Sequence, residues 1–439
     1  NADHVLITDI YAAREHDTLG ISALDIVRTL SAHPDARYAG DLDSATRLLL
    51  AGLAPGDVLI TLGAGDGDRV GRQVLAELRQ RPATSPAADQ LAGGMEARYA
   101  ALAASIARDT GLAVRRDEPL SGHTTMRVGG PADLFVAVSA VDDLVAVIRL
   151  AHEAGVPALV LGGGSNLLVS DRGVHGLVIA NGCRSVLRHE GNVLWAESGA
   201  NLAGVARQAM RWGLTGLEWC VSVPGTVGGA VVGNAGAHGG CVADNLLRAT
   251  LLSPDGALSE WPAARFAYGY RSSTLKSLLR SSVGQPQPVV LAAAFQLQEA
   301  DPEQMEVRAA TFLAHRRATQ PVEPSAGSIF QNPPGDYAGR IIEALGLKGQ
   351  GQGGAAFSTV HANFIVNTGG ASAADVTALI NRARLAAWQT LGVELTPEIL
   401  FVGDWPEPPV TELARSEVGQ HNTNRPETRQ SGLASEVKA

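Results

Sequence analysis

Two glycine-dense segments constrain this chain more than any other feature: GGGSN at Gly162–Asn166 and SVPGTVGGAVVGNAGAHGG at Ser222–Gly240, the second holding seven glycines in 19 positions. Glycine loses more conformational freedom on folding than any other residue, so such density marks backbone that must approach something closely or turn where a Cβ forbids it. GGGSN directly follows the apolar run VPALVL, which makes it a loop at the end of a strand, where open sheets receive ligands. Successive backbone N–H groups in such loops converge on an anion and hold phosphate without lysine. That suits a chain whose 35 basic residues include only Lys276, Lys348 and Lys438 as lysines. Each loop alone also fits a tight turn or close strand packing; the two together favour the anion cradle.

At roughly 150 residues per domain, 439 residues imply about three bodies. With 45% hydrophobic and 18% charged residues, the chain is packed and globular, neither disordered nor collagen-like. A net charge of −9 provides no basic field for nucleic acid or an anionic membrane. Apolar runs such as VVLAAAF fall short of the ~18 residues of a membrane span, and no signal peptide is evident. Cys183, Cys220 and Cys241 form no CxxC pair, which points to buried thiols in a reducing, cytoplasmic compartment.

Residues 1–82 read as a Rossmann-like α/β domain, with a strand at Val5–Thr8, a capping box at Ser22 and Asp25 opening a helix, and a second strand at Asp57–Leu62. GAGDGD at Gly63–Asp68 lacks the last glycine of a dinucleotide fingerprint, because Asp68 stands there; a strand-to-helix turn is the better reading. The chain enters apolar VLIT soon after Asn1 without an initiator methionine, as if a domain were entered midway, and a fragment of a longer polypeptide is expected. Residues 83–118 read as a linker, irregular through RPATSPAADQLAGG, and a short helix. An α+β or α/β body over 119–298 contains helices at Asp142–Ala154 and Asn201–Trp212, each followed by a capping glycine. A further α+β body over 299–404 has helices at Pro302–Thr319, Asp336–Leu345 and Ser372–Leu391, and residues 405–439 read as a disordered tail.

The polar candidates lie in FAYGYRSS around Arg271, AGSIFQNP around Ser328 and LTPEILFVG around Glu398, each a reactive side chain at the edge of a strand or turn. Singly, each also reads as an ordinary surface or turn residue. His123, His238 and His361 show no metal-ligand spacing, so no metal site is expected. A GxSxG elbow is absent, which removes support for a Ser/His/Asp hydrolase.

The ordered set HTTMRVGGPAD, LGGGSN, SVPGTVGGAVVGNAGAHGG, FAYGYRSS, PSAGSIFQNP, LKGQGQGGAAF, HANFIVN and LTPEILFVG resembles the UDP-N-acetylenolpyruvoylglucosamine reductases. VLITDIYAARE and GDVLITLGAGD near the start resemble the C-terminal domain of the UDP-N-acetylmuramate–alanine ligases. The first resemblance implies an FAD-binding fold of the vanillyl-alcohol-oxidase type plus a C-terminal substrate domain, NADPH as electron donor and a UDP-sugar substrate in peptidoglycan synthesis. It assigns flavin contacts to Gly162, Gly163, Gly164, Ser165, Asn166, Pro224, Gly225, Gly228, Gly229, Asn234 and Gly236. It makes Ser328 the proton donor, with Arg271 and Glu398 flanking the substrate carboxylate, and places Tyr270, Asn332 and Lys348 against substrate. A carboxylate beside an anionic intermediate would repel it, so Glu398 is expected to be protonated, with a raised pKa.

Met126, His238 and Gln331 depart from the family's common phenylalanine, tyrosine and basic residue. No tyrosine lies between Tyr270 and Tyr337, so the resemblance is to the shorter class without a tyrosine-bearing substrate loop, and Arg316 or Arg317 is expected on the diphosphate. The second resemblance lacks the ligase's ATP-binding loop and central domain, so ligation is not expected, while contact with other cell-wall ligases is.

Overall fold

A computed structural model of the chain describes residues 5–9, 22–30, 36–53, 59–61, 67–80, 86–281 and 287–410. Gly63–Asp66 of the GAGDGD turn, half of the strand expected over Asp57–Leu62 and most of the tail lie outside them; Leu59–Thr61 form no strand, and Gly67 and Asp68 begin the helix Gly67–Gln80. Two compact units are present, Asn1–Glu96 and Ala97–Ala439.

In the first unit, Val5–Thr8 pairs in parallel with Ala36–Gly40. The helix Ala23–Thr29 opens on the expected capping box: Ser22 Oγ accepts from the Asp25 N–H, and the Asp25 carboxylate accepts from the Ser22 N–H. The segment expected to be irregular up to Gly94 is instead helical from Pro86, in one helix running to Thr110. Its alanines favour helix, and proline is tolerated in the first helical turn, where its missing N–H has no partner to lose; reading the Pro/Ala/Gly composition as linker overlooked both.

The second unit begins with a four-stranded sheet in the order Val114–Pro119, Pro131–Val138, Val174–Asn181, Ala158–Leu161, parallel except for its first strand. The helix Val141–Glu153 supplies the crossover and ends at Gly155, with φ +62°, a left-handed position suited to glycine. An antiparallel five-stranded sheet follows, built around Leu246–Leu252, Val289–Gln296 and Val193–Glu197. The helices Leu202–Arg211 and Val227–Gly233 share its core through residues such as Leu202, Val205, Val227 and Val231, all buried. A third, antiparallel sheet joins Ser325–Ser328, Phe364–Asn367, Ala355–Phe357 and Gly351–Gln352, backed by the helix Ala373–Leu391.

The packing interleaves across the domain line expected at 298/299. The helix Pro302–Thr319 buries Ala309 in the core of the five-stranded sheet, and Arg308 Nη2 donates to the buried Glu218 carboxylate at 2.6 Å. In the other direction Met126, Val128 and Leu168 are buried in the C-terminal core beside Phe330 and Ile399. The last strand, Leu400–Val402, pairs in parallel with Leu167–Val169 in a two-stranded sheet of their own. Asp171, just beyond, accepts from the N–H groups of Ala373 and Ala374 at 2.7 and 2.9 Å, while Ser372 Oγ accepts from Asp375 at 3.0 Å. Three free donors of the first helical turn are thus satisfied.

Candidate active site

The two glycine loops meet. A Cβ built on Gly163 would lie 3.1 Å from the Gly225 Cα, and one on Gly162 only 2.5 Å from Thr226 Oγ1. Gly164 has φ +59°, and a Cβ there would sit 2.2 Å from the His123 carbonyl oxygen, so both the turn and the close approach exclude any larger residue. On the open side, Gly162, Gly163, Pro224 and Gly229 are exposed. Among the described residues, no hydrogen bond takes the N–H of Gly163, Gly164 or Ser165. A row of backbone donors without protein acceptors among the described residues, on a loop exposed at Gly162 and Gly163, is the arrangement expected for holding an anion.

Other residues assigned to the same ligand do structural work. Gly228 donates its N–H to the Ser198 carbonyl at 2.8 Å, and a Cβ on it would lie 2.9 Å from the Ser198 Cβ. Gly236 lies in a two-residue pairing with Cys241. Asn234 is left-handed at φ +46° and buried; its Nδ2 donates to the Gly269 carbonyl at 2.9 Å and its Oδ1 accepts from the Ala243 N–H at 3.1 Å. Asn234 therefore ties the second glycine loop to the turn that carries Arg271.

That turn is closed by reciprocal backbone bonds between Gly269 and Ser272, each 3.1 Å, and Arg271 within it has φ +52°. Tyr268 and Ser273 anchor its flanks by donating to the Val231 and Val232 carbonyls. Arg271 Nε stands 2.9 Å from Glu398 Oε1; its N–H is not aligned for a hydrogen bond, so the contact is an ion pair. Tyr270 is 62% exposed, with the Arg271 guanidinium carbon 5.8 Å from its ring centroid.

Ser328 ends the strand Ser325–Ser328 and pairs with Phe364, after a bulge at Gly327. Glu398 reaches this strand through its backbone, its N–H donating to the Ile329 carbonyl at 2.7 Å, next to Ser328. Asn166 closes the junction: its carbonyl accepts from the Leu400 N–H at 3.0 Å and its Nδ2 lies 3.4 Å from the Glu398 carbonyl. Thr125, within the HTTMRVGGPAD segment, bridges the same parts. Its N–H donates to the Gly164 carbonyl at 3.1 Å and its hydroxyl to the Ser325 carbonyl at 2.7 Å. No local pattern could have marked it, since its partner Ser325 lies 200 residues away.

The remaining candidates are placed less directly. Asn332 Oδ1 accepts from the Ala338 N–H at 3.1 Å, at the start of a helix, and Lys348 Nζ pairs with Glu343 at 2.9 Å. His238 stacks on Phe312, with ring centroids 4.4 Å apart, and faces His315 edge-on at 5.5 Å. Burial and then the positive charges of His315 and Arg316 hold the His238 pKa below the usual histidine value.

Burial of Glu398 raises its pKa, against the opposing pull of Arg271 and Lys276. The folded protein then binds this proton more tightly than the unfolded chain, so the stability linked to Glu398 is full below the ordinary value of 4.5 and is lost as pH rises through the raised one. Glu398→Gln, which cannot ionise, should therefore gain in melting temperature relative to the parent as pH is taken from about that value towards neutrality. A difference in melting temperature that stays constant, or moves the other way, contradicts the shift.

Comparison with known proteins agrees with this layout. The family model for the UDP-N-acetylenolpyruvoylglucosamine reductase C-terminal domain matches residues 320–402, and an FAD binding domain model matches residues 132–260. The UDP-N-acetylenolpyruvoylglucosamine reductase of Synechococcus sp. (strain RCC307) is 45% identical over 297 residues, covering 66% of this chain and 95% of that protein. The reductase of Chloroflexus aurantiacus is 42% identical over 289 residues, covering 65% and 96%. Among solved structures, the Thermus caldophilus reductase superposes with a TM-score of 0.57 at 35% identity, covering 66% of this chain and 99% of the other. With an FAD-binding domain and relatives matched over nearly their whole length, the chain belongs to the UDP-N-acetylenolpyruvoylglucosamine reductase family and is an FAD oxidoreductase.

Proposed function

We propose that the protein uses NADPH to reduce the enolpyruvyl ether of UDP-N-acetylglucosamine to UDP-N-acetylmuramate, in the cytoplasm, as a step of peptidoglycan synthesis. The observation that carries this reading is the Arg271–Glu398 pair at 2.9 Å, joined by backbone to the Ser328 strand and, through Asn166, to the first glycine loop. The flavin fits the chain: the N–H groups of Gly163, Gly164 and Ser165, without an acceptor among the described residues and in a loop whose Gly162 and Gly163 are exposed, suit its diphosphate, and Pro224, Gly225 and Gly229 line the facing loop. When bound, FAD supplies a hydride for the terminal enolpyruvyl carbon.

The protein must then manage charge and one proton. Arg271 presents a permanently charged planar fork to the substrate carboxylate, where negative charge develops. Burial raises the pKa of Glu398, which eases its protonation as that charge develops and lets it hand a proton along to Ser328. Ser328 gives its hydroxyl proton to the carbon that bears the ether oxygen. Tyr270 is exposed beside Arg271 for contact with the sugar, and Asn332 keeps its amide nitrogen for substrate while its oxygen caps the helix.

Rapid mixing separates the half-reactions. Ser328→Ala should be reduced by NADPH at the parent rate, while reoxidation by the enolpyruvyl substrate slows by about 10²–10⁴-fold, the usual contribution of a positioned general acid. Unchanged reoxidation removes Ser328 from this role. Hydrogen peroxide formation from a sugar or alcohol substrate, with no response to the enolpyruvyl substrate, would point to a flavin oxidase instead.

We also propose that residues 1–82 are a ligase-type C-terminal domain serving as a docking module towards cell-wall ligases. Its parallel strand pair and capped helix support an α/β unit of that kind. A UDP-N-acetylmuramate–alanine ligase truncated of its own C-terminal domain should be retained by the full chain and not by one lacking residues 1–82; equal retention by both counts against docking.

A further inference from the structure

Lys276 is one of only three lysines in the chain, and its side chain is 4% exposed. A long cationic side chain is almost never fully buried unless its charge is used. It lies in the helix Thr274–Ser281, whose first turn is fixed by Ser273: the Ser273 hydroxyl accepts from the Lys276 N–H at 3.0 Å and donates to the Val232 carbonyl at 2.5 Å. From there Nζ reaches back and donates to the Arg271 carbonyl at 3.0 Å.

That carbonyl belongs to a residue with φ +52°. A left-handed conformation costs a non-glycine residue about 1 kcal/mol or more, and persists only where neighbours impose it. The conformation sets the direction of the Arg271 side chain, which runs to Glu398 at 2.9 Å. Arg271 and Lys276 are the charged groups that act on Glu398, so one ammonium both holds the arginine's backbone and adds positive field at the carboxyl.

We propose that Lys276 is a positioning residue: by binding the Arg271 carbonyl it holds Arg271 in its left-handed turn and keeps the Arg271–Glu398 pair in register with Ser328. The proposal rests on the roles given above to Arg271, Ser328 and Glu398. It requires no contact between Lys276 and substrate or flavin, and the effect on chemistry passes wholly through its two neighbours.

The test compares Lys276→Met, Lys276→Gln and Lys276→Arg as flavin-loaded full-length protein, with Ser328→Ala as control. Lys276→Met should keep its flavin and its rate of reduction by NADPH. Its reoxidation by substrate should fall by about 10–100-fold, the scale of a misplacement of roughly 1 Å. Loss of positive field should also move the Glu398 titration, followed by isotope-edited carboxyl infrared difference spectra, to higher pH. Lys276→Gln, which keeps a donor without the charge, should recover part of the rate but show the same upward titration shift, and Lys276→Arg should restore both. The proposal is overturned if Lys276→Met reoxidises at the parent rate, or if the Glu398 titration stays in place in both uncharged variants. Should Lys276→Met fail to fold, Lys276→Gln decides, because an unmoved titration there is equally fatal. If Ser328→Ala reoxidises normally, the underlying reading of the site fails whatever the lysine variants do. If it collapses while Lys276→Met and Lys276→Gln behave as the parent, only the positioning role fails.

Discussion

Asn166, the last residue of the first glycine loop, is where the two halves of the larger unit are joined. Its carbonyl accepts from Leu400, its side chain reaches the Glu398 carbonyl, and the parallel pairing of Leu400–Val402 with Leu167–Val169 continues the contact. Two short strands more than 200 residues apart thus carry Glu398 to the edge of the loop proposed to hold the flavin diphosphate. The Glu398 N–H, bonded to the Ile329 carbonyl, brings Ser328 to the same edge. This pairing places the Glu398 segment beside the first glycine loop, while Asn234 and Thr125 tie the arginine turn and the serine strand to the same loops.

The junction is reinforced where backbone groups would otherwise be unsatisfied. Thr125 spans the glycine loop and the serine strand, Asn367 Nδ2 donates to the Met126 carbonyl at 3.0 Å, and Asp171 caps the C-terminal helix. Such bonds are individually modest, each worth about 1 kcal/mol net. They act together because each joins a segment before residue 175 to one beyond residue 320, so loosening one sheet loosens the placement of Ser328 relative to Gly164.

Much of this was legible in the sequence because it is local. The capping box at Ser22, the helix ends at Gly155, and the helices at Pro302–Thr319 and from Ser372 follow from residues a few positions apart. The glycine loops announced a close backbone approach, and Gly162–Gly164 packed on Gly225–Thr226 is that approach. The exchange of core residues across 298/299 was not legible, since Met126, Leu168 and Ala309 look like ordinary apolar positions of their own segments. The roles of Thr125 and Asn234 were hidden for the same reason: their partners are distant in sequence. Helix from Pro86 was missed because alanine and proline in one window can signal either a linker or a helix start.

The central claim is that Ser328, Arg271 and Glu398 converge on one substrate group beside the glycine loops. It is tested most directly by a crystal structure of the flavin-bound protein with the enolpyruvyl substrate. The account requires the flavin diphosphate against Gly163–Ser165, Arg271 on the substrate carboxylate, and Ser328 Oγ within about 3.5 Å of the ether-bearing carbon, a near-attack separation. A diphosphate held elsewhere, or an enolpyruvyl group bound out of reach of Ser328 and Arg271, would contradict it.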